Sequence, residues 1–212
     1  MKGVLSMSTI QLFGCLLLLL FYGSYFGKLL LQRSQGISTD RMGRGSKPKR
    51  TYILEVILKL VTFSMAGVQI MSIVANNRWF LLVPNSATRY SGVVIALAGT
   101  ILFVTAMVTM RSSWRAGVDA TQQTELIVDG IYRISRNPAF LGFDLFYFGF
   151  ALSFSNPVML IFLILCMVML HLQILEEEKY LTSVFGKDYI TFRKTTGRYF
   201  YWTKRKMEYK NF

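Results

Sequence analysis

Apolar runs long enough to cross a lipid bilayer recur along this chain, and they decide most of what it can fold into. About 20 helical residues span the roughly 30 Å hydrocarbon layer. Such runs cover residues 10–31, 52–74, 91–110 and 138–154, and a fifth follows the Ser155-Asn156-Pro157 turn and continues to about Leu175. In lipid each backbone polar group needs a partner within its own segment, so a run of this kind becomes a helix. The expected fold is all-α: a polytopic membrane helical bundle of about five transmembrane helices, forming one membrane domain over residues 1–212. Residues 1–112 then hold three spans and a basic linker, and 113–212 hold the rest. The first run is preceded by Lys2 alone, and no convincing small-residue cleavage site follows it. It is therefore expected to be a retained span rather than a signal peptide.

The residues between the runs set the orientation. The chain is 53% hydrophobic yet carries a formal charge of +13. Six Lys/Arg follow span one (Arg33, Arg41, Arg44, Lys47, Lys49, Arg50), four follow span three (Arg111, Arg115, Arg133, Arg136) and nine follow span five. The opposite side has three: Lys2, Arg78 and Arg89. This asymmetry places the N-terminus outside and the C-terminus in the cytoplasm. It also fits basic flanks on anionic lipid better than a nucleic-acid surface, so no nucleic-acid partner is expected. Cys15 and Cys166 both fall in apolar runs and read as buried, inert thiols. With His171 the lone histidine, no metal site is expected.

Four features of the polar segments invite chemistry. Thr124–Gly142 ends its polar part in Arg136-Asn137-Pro138, and Pro138 suits the first turn of a helix with Asn137 as its N-cap. Such a helix start presents free N–H donors to an anionic group. Glu55 and Lys59 are four residues apart in span two, a spacing that lets them pair. The short Ser155-Asn156-Pro157 turn makes spans four and five an antiparallel hairpin, bringing Asn137 and Glu176 together. Glu176, Glu177 and Glu178 diverge by 100° per residue, so at most two point into the bundle. At the expected end of span five they also oppose the helix dipole, which suggests a cationic partner.

The two segments GIYRISRNPAFLG and EEEKYLTSVFGKDYITFRKTTGRYF lie about 34 residues apart with a two-span hairpin between them. Together they resemble the C-terminal half of the isoprenylcysteine carboxyl methyltransferases and their bacterial and phospholipid-methylating relatives. The likeness covers about Ser113 to Phe200, and it identifies 113–212 as a cofactor-binding core with an interfacial tail. It implies S-adenosylmethionine as methyl donor, bound at the cytoplasmic face of a multi-pass inner-membrane protein, and a lipophilic acceptor drawn from the bilayer. Position by position, the implied cofactor residues are Thr124, Glu125, Leu126, Ile127, Tyr132, Asn137, Pro138, Ala139, Phe140 and Glu177. Arg136, Asn137 and Glu177 are the implied positioning groups; no catalytic base is implied.

This sequence departs from the eukaryotic prenylcysteine enzymes at two positions. Asn137 stands where they have histidine, and Gln173 stands where they have a substrate-binding arginine. Losing that arginine weakens the case for a carboxylate acceptor, since bidentate pairing is what it supplies. Arg115 is the candidate substitute as an anion clamp. His171 is expected in the core. The tail aromatics Phe185, Tyr189, Phe192, Tyr199, Phe200, Tyr201 and Trp202 are interleaved with Arg193, Lys194 and Arg198, and read as an interfacial helix lying on anionic lipid and lidding the pocket. Two other readings compete: a sterol-reductase-like enzyme binding NADPH through a similar Arg-x-Pro motif, and a non-catalytic member of the methyltransferase fold.

Overall fold

A computed structural model describes residues 8–44, 47–75, 81–83, 85–115, 117 and 125–200. Among these the architecture is all-helical: α1 (Thr9–Ser34), α2 (Lys49–Ala75), α3 (Ser86–Thr109), α4 (Pro138–Ser153) and α5 (Pro157–Thr195), with two short 3₁₀ turns between α3 and α4. Four of the five helices are long and apolar enough to cross a membrane, and the protein is an integral membrane protein. The exception is α4, whose 16 residues extend about 24 Å.

Local chemistry sets the boundaries. The Ser8 N–H and hydroxyl both meet Gln11 Oε1 at the start of α1, while Gln11 Nε2 donates to the Ile73 carbonyl at 2.8 Å and fastens α1 to the end of α2. The third helix begins before residue 91 because Asn85 caps it, its Oδ1 accepting from the Ala87 and Thr88 N–H groups. Asn156 caps α5 through Met159 and donates to the Ser72 hydroxyl of α2 at 2.9 Å.

The tightest packing joins α3 to α4 through paired glycines. A Cβ on Gly99 would lie 2.5 Å from the Phe146 nitrogen and 2.7 Å from the Gly142 carbonyl oxygen. One on Gly149 would lie 2.4 Å from the Ala96 nitrogen and 2.5 Å from the Gly92 carbonyl oxygen. Backbone approach this close is what small residues give a helix pair in lipid, where apolar surface alone supplies no drive to associate. Around this seam Phe21 of α1 stacks on Phe146 with ring centroids 3.8 Å apart, and Phe103 and Phe143 close on it. The second pairing is α2 against α5.

Several expectations are corrected. The fifth helix does not stop near Leu175: it runs on to Thr195, with a kink at Gly186, so the three glutamates lie inside a helix and not at its C-terminus. The dipole conflict read from the sequence therefore does not exist. Glu55 and Lys59 do not pair with each other. The linker before α2 intervenes, Lys47 reaching Glu55 and Asp40 reaching Lys59. Cys15 is exposed on the outer face of α1, because Gly14 and Leu17 occupy the inward positions beside it; Cys166 is buried as expected.

The glycine seam yields the first prediction. Gly99→Leu and Gly142→Leu should each lower the thermal midpoint of the detergent-purified protein by an amount equivalent to about 1–3 kcal/mol of overpacking, or prevent folding. Gly67→Ala meets nothing within 4 Å and should leave the midpoint unchanged.

Candidate functional site

The site forms where α5 passes beyond its apolar part and bends. Gly186 has φ 51°, a left-handed conformation that suits glycine, and the bend it permits turns the last turns of α5 back on the loop before α4. Tyr189 and Phe192, expected in a tail lying on lipid and lidding the pocket, are buried against Tyr132, with Leu126, Ile127, Leu181 and Phe185 around them, so they close the pocket rather than lie on lipid. Between these groups opens a cleft of about 740 Å³ including its mouth. Its polar walls are Arg115, Glu125, Tyr132, Arg136, Glu177 and Tyr180.

Helical phase sends the three adjacent glutamates to three partners. Glu176 accepts from the Thr51 hydroxyl of α2 at 2.9 Å and pairs with Lys179 at 2.7 Å. Glu177 faces the cleft, where the Gln173 amide, one turn earlier, donates to it at 3.2 Å. Glu178 is clamped between Arg136 and Arg198, each at 2.8 Å. The clamp is extended by backbone: the Arg136 N–H donates to the Gly197 carbonyl at 3.0 Å and the Ser135 hydroxyl to the Arg198 carbonyl at 3.2 Å. The chain after α5 is thus tied to the start of α4.

Asn137 precedes α4 as expected but does not cap it. Its side-chain amide donates instead to Glu178 at 3.4 Å and to the Arg198 carbonyl at 3.2 Å. The hairpin's ends therefore meet through Glu178 and not through Glu176. The structure gathers Arg115, Glu125, Leu126, Ile127, Tyr132, Arg136 and Glu177 around one cleft. Asn137, Pro138, Ala139 and Phe140 stand behind its wall, Asn137 and Pro138 buried and Ala139 and Phe140 packed against the bundle core. Gln173 is fully buried beneath Glu177. The Arg115 guanidinium bonds the Trp114 and Ser112 carbonyls of its own loop. Thr124, Tyr201 and Trp202 lie outside the described residues. His171 is half-buried, its Nδ1 2.8 Å from the Tyr199 hydroxyl.

Burial, with a smaller contribution from the negative Glu177, raises the Tyr132 phenol well above its ordinary range, so it stays a neutral hydrogen-bonding group. Burial lowers the Arg136 guanidinium and Glu178 opposes that shift. Hydrogen bonding to Glu178 raises Arg198. Tyr180 and Leu181 were missed as site residues, whereas Tyr189 and Phe192 line the cleft from the tail expected to lid it. Positions 177, 180 and 181 share one helical face, a signal that becomes visible only if α5 continues past Glu178.

The clamp generates the second prediction. Glu178→Ala leaves Arg136 buried without a counter-charge and should cost about 3–5 kcal/mol in thermal unfolding. Limited proteolysis should also cut the chain after Thr195 faster than in the parent protein.

Comparison with known proteins meets the resemblance drawn from the residues. Residues 87–188 match the phospholipid methyltransferase family. The chain is 28% identical over 104 residues to protein-S-isoprenylcysteine O-methyltransferase B of Arabidopsis thaliana, covering 48% of this chain and 53% of that protein. It is 30% identical over 109 residues to protein-S-isoprenylcysteine O-methyltransferase of Saccharomyces cerevisiae, covering 50% of this chain and 46% of that protein. The chain spans about half the length of the curated relatives it matches. The matched family segment runs from the start of α3 into the bent part of α5, and so holds most of the cleft.

Proposed function

We propose that this membrane protein transfers a methyl group from S-adenosylmethionine to a lipophilic acceptor, in the cleft walled by Tyr132, Arg136 and Glu177. One observation carries the reading: Glu177, an acid without a basic partner within ion-pair distance among the described residues, faces the same cleft as Tyr132 and the Glu125-Leu126-Ile127 segment. The cleft suits a zwitterionic donor bearing a flat base. It offers two carboxylates, two guanidinium groups and apolar walls from Leu126, Ile127, Leu181 and Phe192. Its lining also includes two buried polar atoms without a hydrogen-bond partner among the described residues, Arg136 Nε and the Tyr189 hydroxyl. A bound polar ligand would satisfy such atoms.

When bound, the donor supplies an electrophilic methyl on a sulfonium. Glu177 holds its ammonium or ribose hydroxyls by charge-assisted hydrogen bonds, and Arg136 or Arg115 holds its carboxylate. Tyr132 remains protonated and donates. Asn137, Pro138, Ala139 and Phe140 brace the cleft from behind. The folded-back end of α5 keeps water away, so positioning and exclusion of water supply the acceleration. The acceptor is the carboxylate of a prenylcysteine-like compound or another lipid-like group, and Arg115 lines the cleft that receives it; Gln173, expected to meet the acceptor, is buried and acts only through Glu177. The cleft faces the cytoplasm of a multi-pass inner-membrane protein, with basic flanks on anionic lipid; the excess of Lys/Arg on that side supports this placement.

Glu177→Ala should weaken binding of the donor, measured by calorimetry on the purified protein, by at least about tenfold, the scale of one charge-assisted hydrogen bond. Glu176→Gln alters a neighbour outside the cleft and should bind as the parent does. Equal affinity for both variants would overturn the reading. For orientation, single cysteines placed at Arg44 and Asn85 in a chain with Cys15 and Cys166 replaced by Ser should react with a membrane-impermeant thiol reagent from opposite sides. In intact cells only the second should be labelled.

A further inference from the structure

The linker between α1 and α2 carries a cation that is held away from the cleft acid. The Lys47 side chain is buried, its ammonium pairing with Glu55 of α2 and donating to the Arg41 carbonyl at 2.7 Å. Glu55 is fully buried and also accepts from the Gly43 N–H at 2.9 Å. Asp40 meanwhile takes Lys59, whose spacing on α2 suits Glu55, and so leaves Glu55 to the linker lysine. All six residues lie outside the stretch 87–188 that matches the family.

Contacts on two sides place this pair against the cleft. Gly117, which lines the cleft, has φ 92° and no side chain. A Cβ on it would lie 3.1 Å from Glu55 Oε1 and 2.9 Å from the Met42 nitrogen, so Glu55 and the linker back this wall directly. On the other side, Thr51 of α2 bonds Glu176 of α5 at 2.9 Å. The two helices are antiparallel, since Ser72 meets Asn156 at their far end. One turn inward from Thr51 and Glu176 therefore brings Glu55 level with Gln173. Gln173 is the residue whose amide donates to Glu177, and its Oε1 is buried without a hydrogen-bond partner among the described residues. Lys47 and Glu55 both lie within electrostatic reach of Glu177. A flexible stem lets a lysine ammonium shift between neighbouring acceptors.

We propose that Glu55 is a positioning residue for the cleft: by holding Lys47 against α2 it keeps Glu177 free for the cationic group of a ligand. This rests on the proposed binding of the donor at Glu177. Two acids thus compete for one lysine. Glu55 prevails because it is fully buried while Glu177 is half-buried, and an unpaired charge costs most where water is scarcest. Without the charge of Glu55, Lys47 turns to Glu177, with the Gln173 oxygen beside it as a second acceptor. Glu177 then has an internal counter-ion, which a ligand ammonium must displace before it binds. A pair that only fastened the linker would loosen the fold when broken; it would not hand its lysine to another acid.

The test treats the full chain in nanodiscs with a carbodiimide, which joins a lysine to a carboxylate in contact with it, and maps the crosslinks by mass spectrometry. Affinity for S-adenosylmethionine is read by calorimetry on the same preparations. In the parent protein Lys47 should be joined to Glu55 at least about tenfold more than to Glu177. Glu55→Gln should move the crosslink to Glu177 and weaken donor binding by about tenfold. Adding Lys47→Met to Glu55→Gln should restore the parent affinity, because no lysine remains to compete and no charge is stranded beside Gly117. Glu55→Asp should keep the crosslink at position 55 and the parent affinity. A parent protein in which Lys47 is joined to Glu177 as readily as to Glu55, or to neither, would overturn the proposal whether or not the variants fold. So would a Glu55→Gln chain whose Lys47 is not joined to Glu177, or a double variant that binds as weakly as the single one. Absence of donor binding by the parent, with the crosslink still moving in Glu55→Gln, would instead remove the donor-binding reading and leave the exchange of Lys47 standing.

Discussion

A carboxylate buried between two guanidinium groups holds the functional end of this molecule together. Glu178 draws Arg136 from the loop before α4 and Arg198 from beyond α5 to one point in the interior. The Coulombic gain of such a triad is largely offset by removing three charges from water, so its net contribution to stability is modest. Its specificity is another matter. Any arrangement that separates the three segments leaves a buried charge unpaired, which costs far more than the assembled triad gains. The triad therefore acts as a registration device: with Glu178 fixed, helical phase turns Glu177 by 100° into the cleft and Glu176 toward α2.

That registration works because the helices carrying it are fixed elsewhere by contacts of a different kind. Between α3 and α4 the glycine pairs let backbones touch, which carries α4 at its proper height despite its 16 residues. Between α2 and α5 polar fasteners recur along the length, from Thr51–Glu176 at one end to Ser72–Asn156 at the other. Two firmly built pairs meet along a lightly built seam, and the Glu178 clamp closes that seam only at one end. Among the described residues no comparable ion pair joins the remainder of the seam.

Much of this was legible in the sequence, for physical reasons that differ by feature. Spans are readable because lipid permits little besides helix, and the start of α4 was readable because Pro138 suits a first helical turn. The divergence of the three glutamates followed from helical geometry alone. What escaped was decided by partners remote in sequence. Glu55 and Lys59 have ideal spacing for each other, yet Lys47 and Asp40 outcompete that local pair from the linker. Asn137 has the side chain of an N-cap, but its amide nitrogen is engaged by Glu178 and the Arg198 carbonyl, and its oxygen caps no N–H of the helix start. The length of α5 was hidden because hydropathy reports where lipid ends, and a helix can continue into water. That misjudged end also concealed Tyr180 and Leu181 as cleft residues.

The carboxylates themselves separate structural from functional roles. A buried acid is tolerated when a cation satisfies it, and then its function is to hold segments in place, as Glu55 does with Lys47. Among the described residues Glu177 and Asp144 have no such cation within ion-pair distance, so their burial carries a desolvation cost that the described contacts do not repay. Exchanging either acid for its amide would remove most of that cost without disturbing the packing. Retaining an acid under those conditions makes physical sense where a ligand supplies the missing charge.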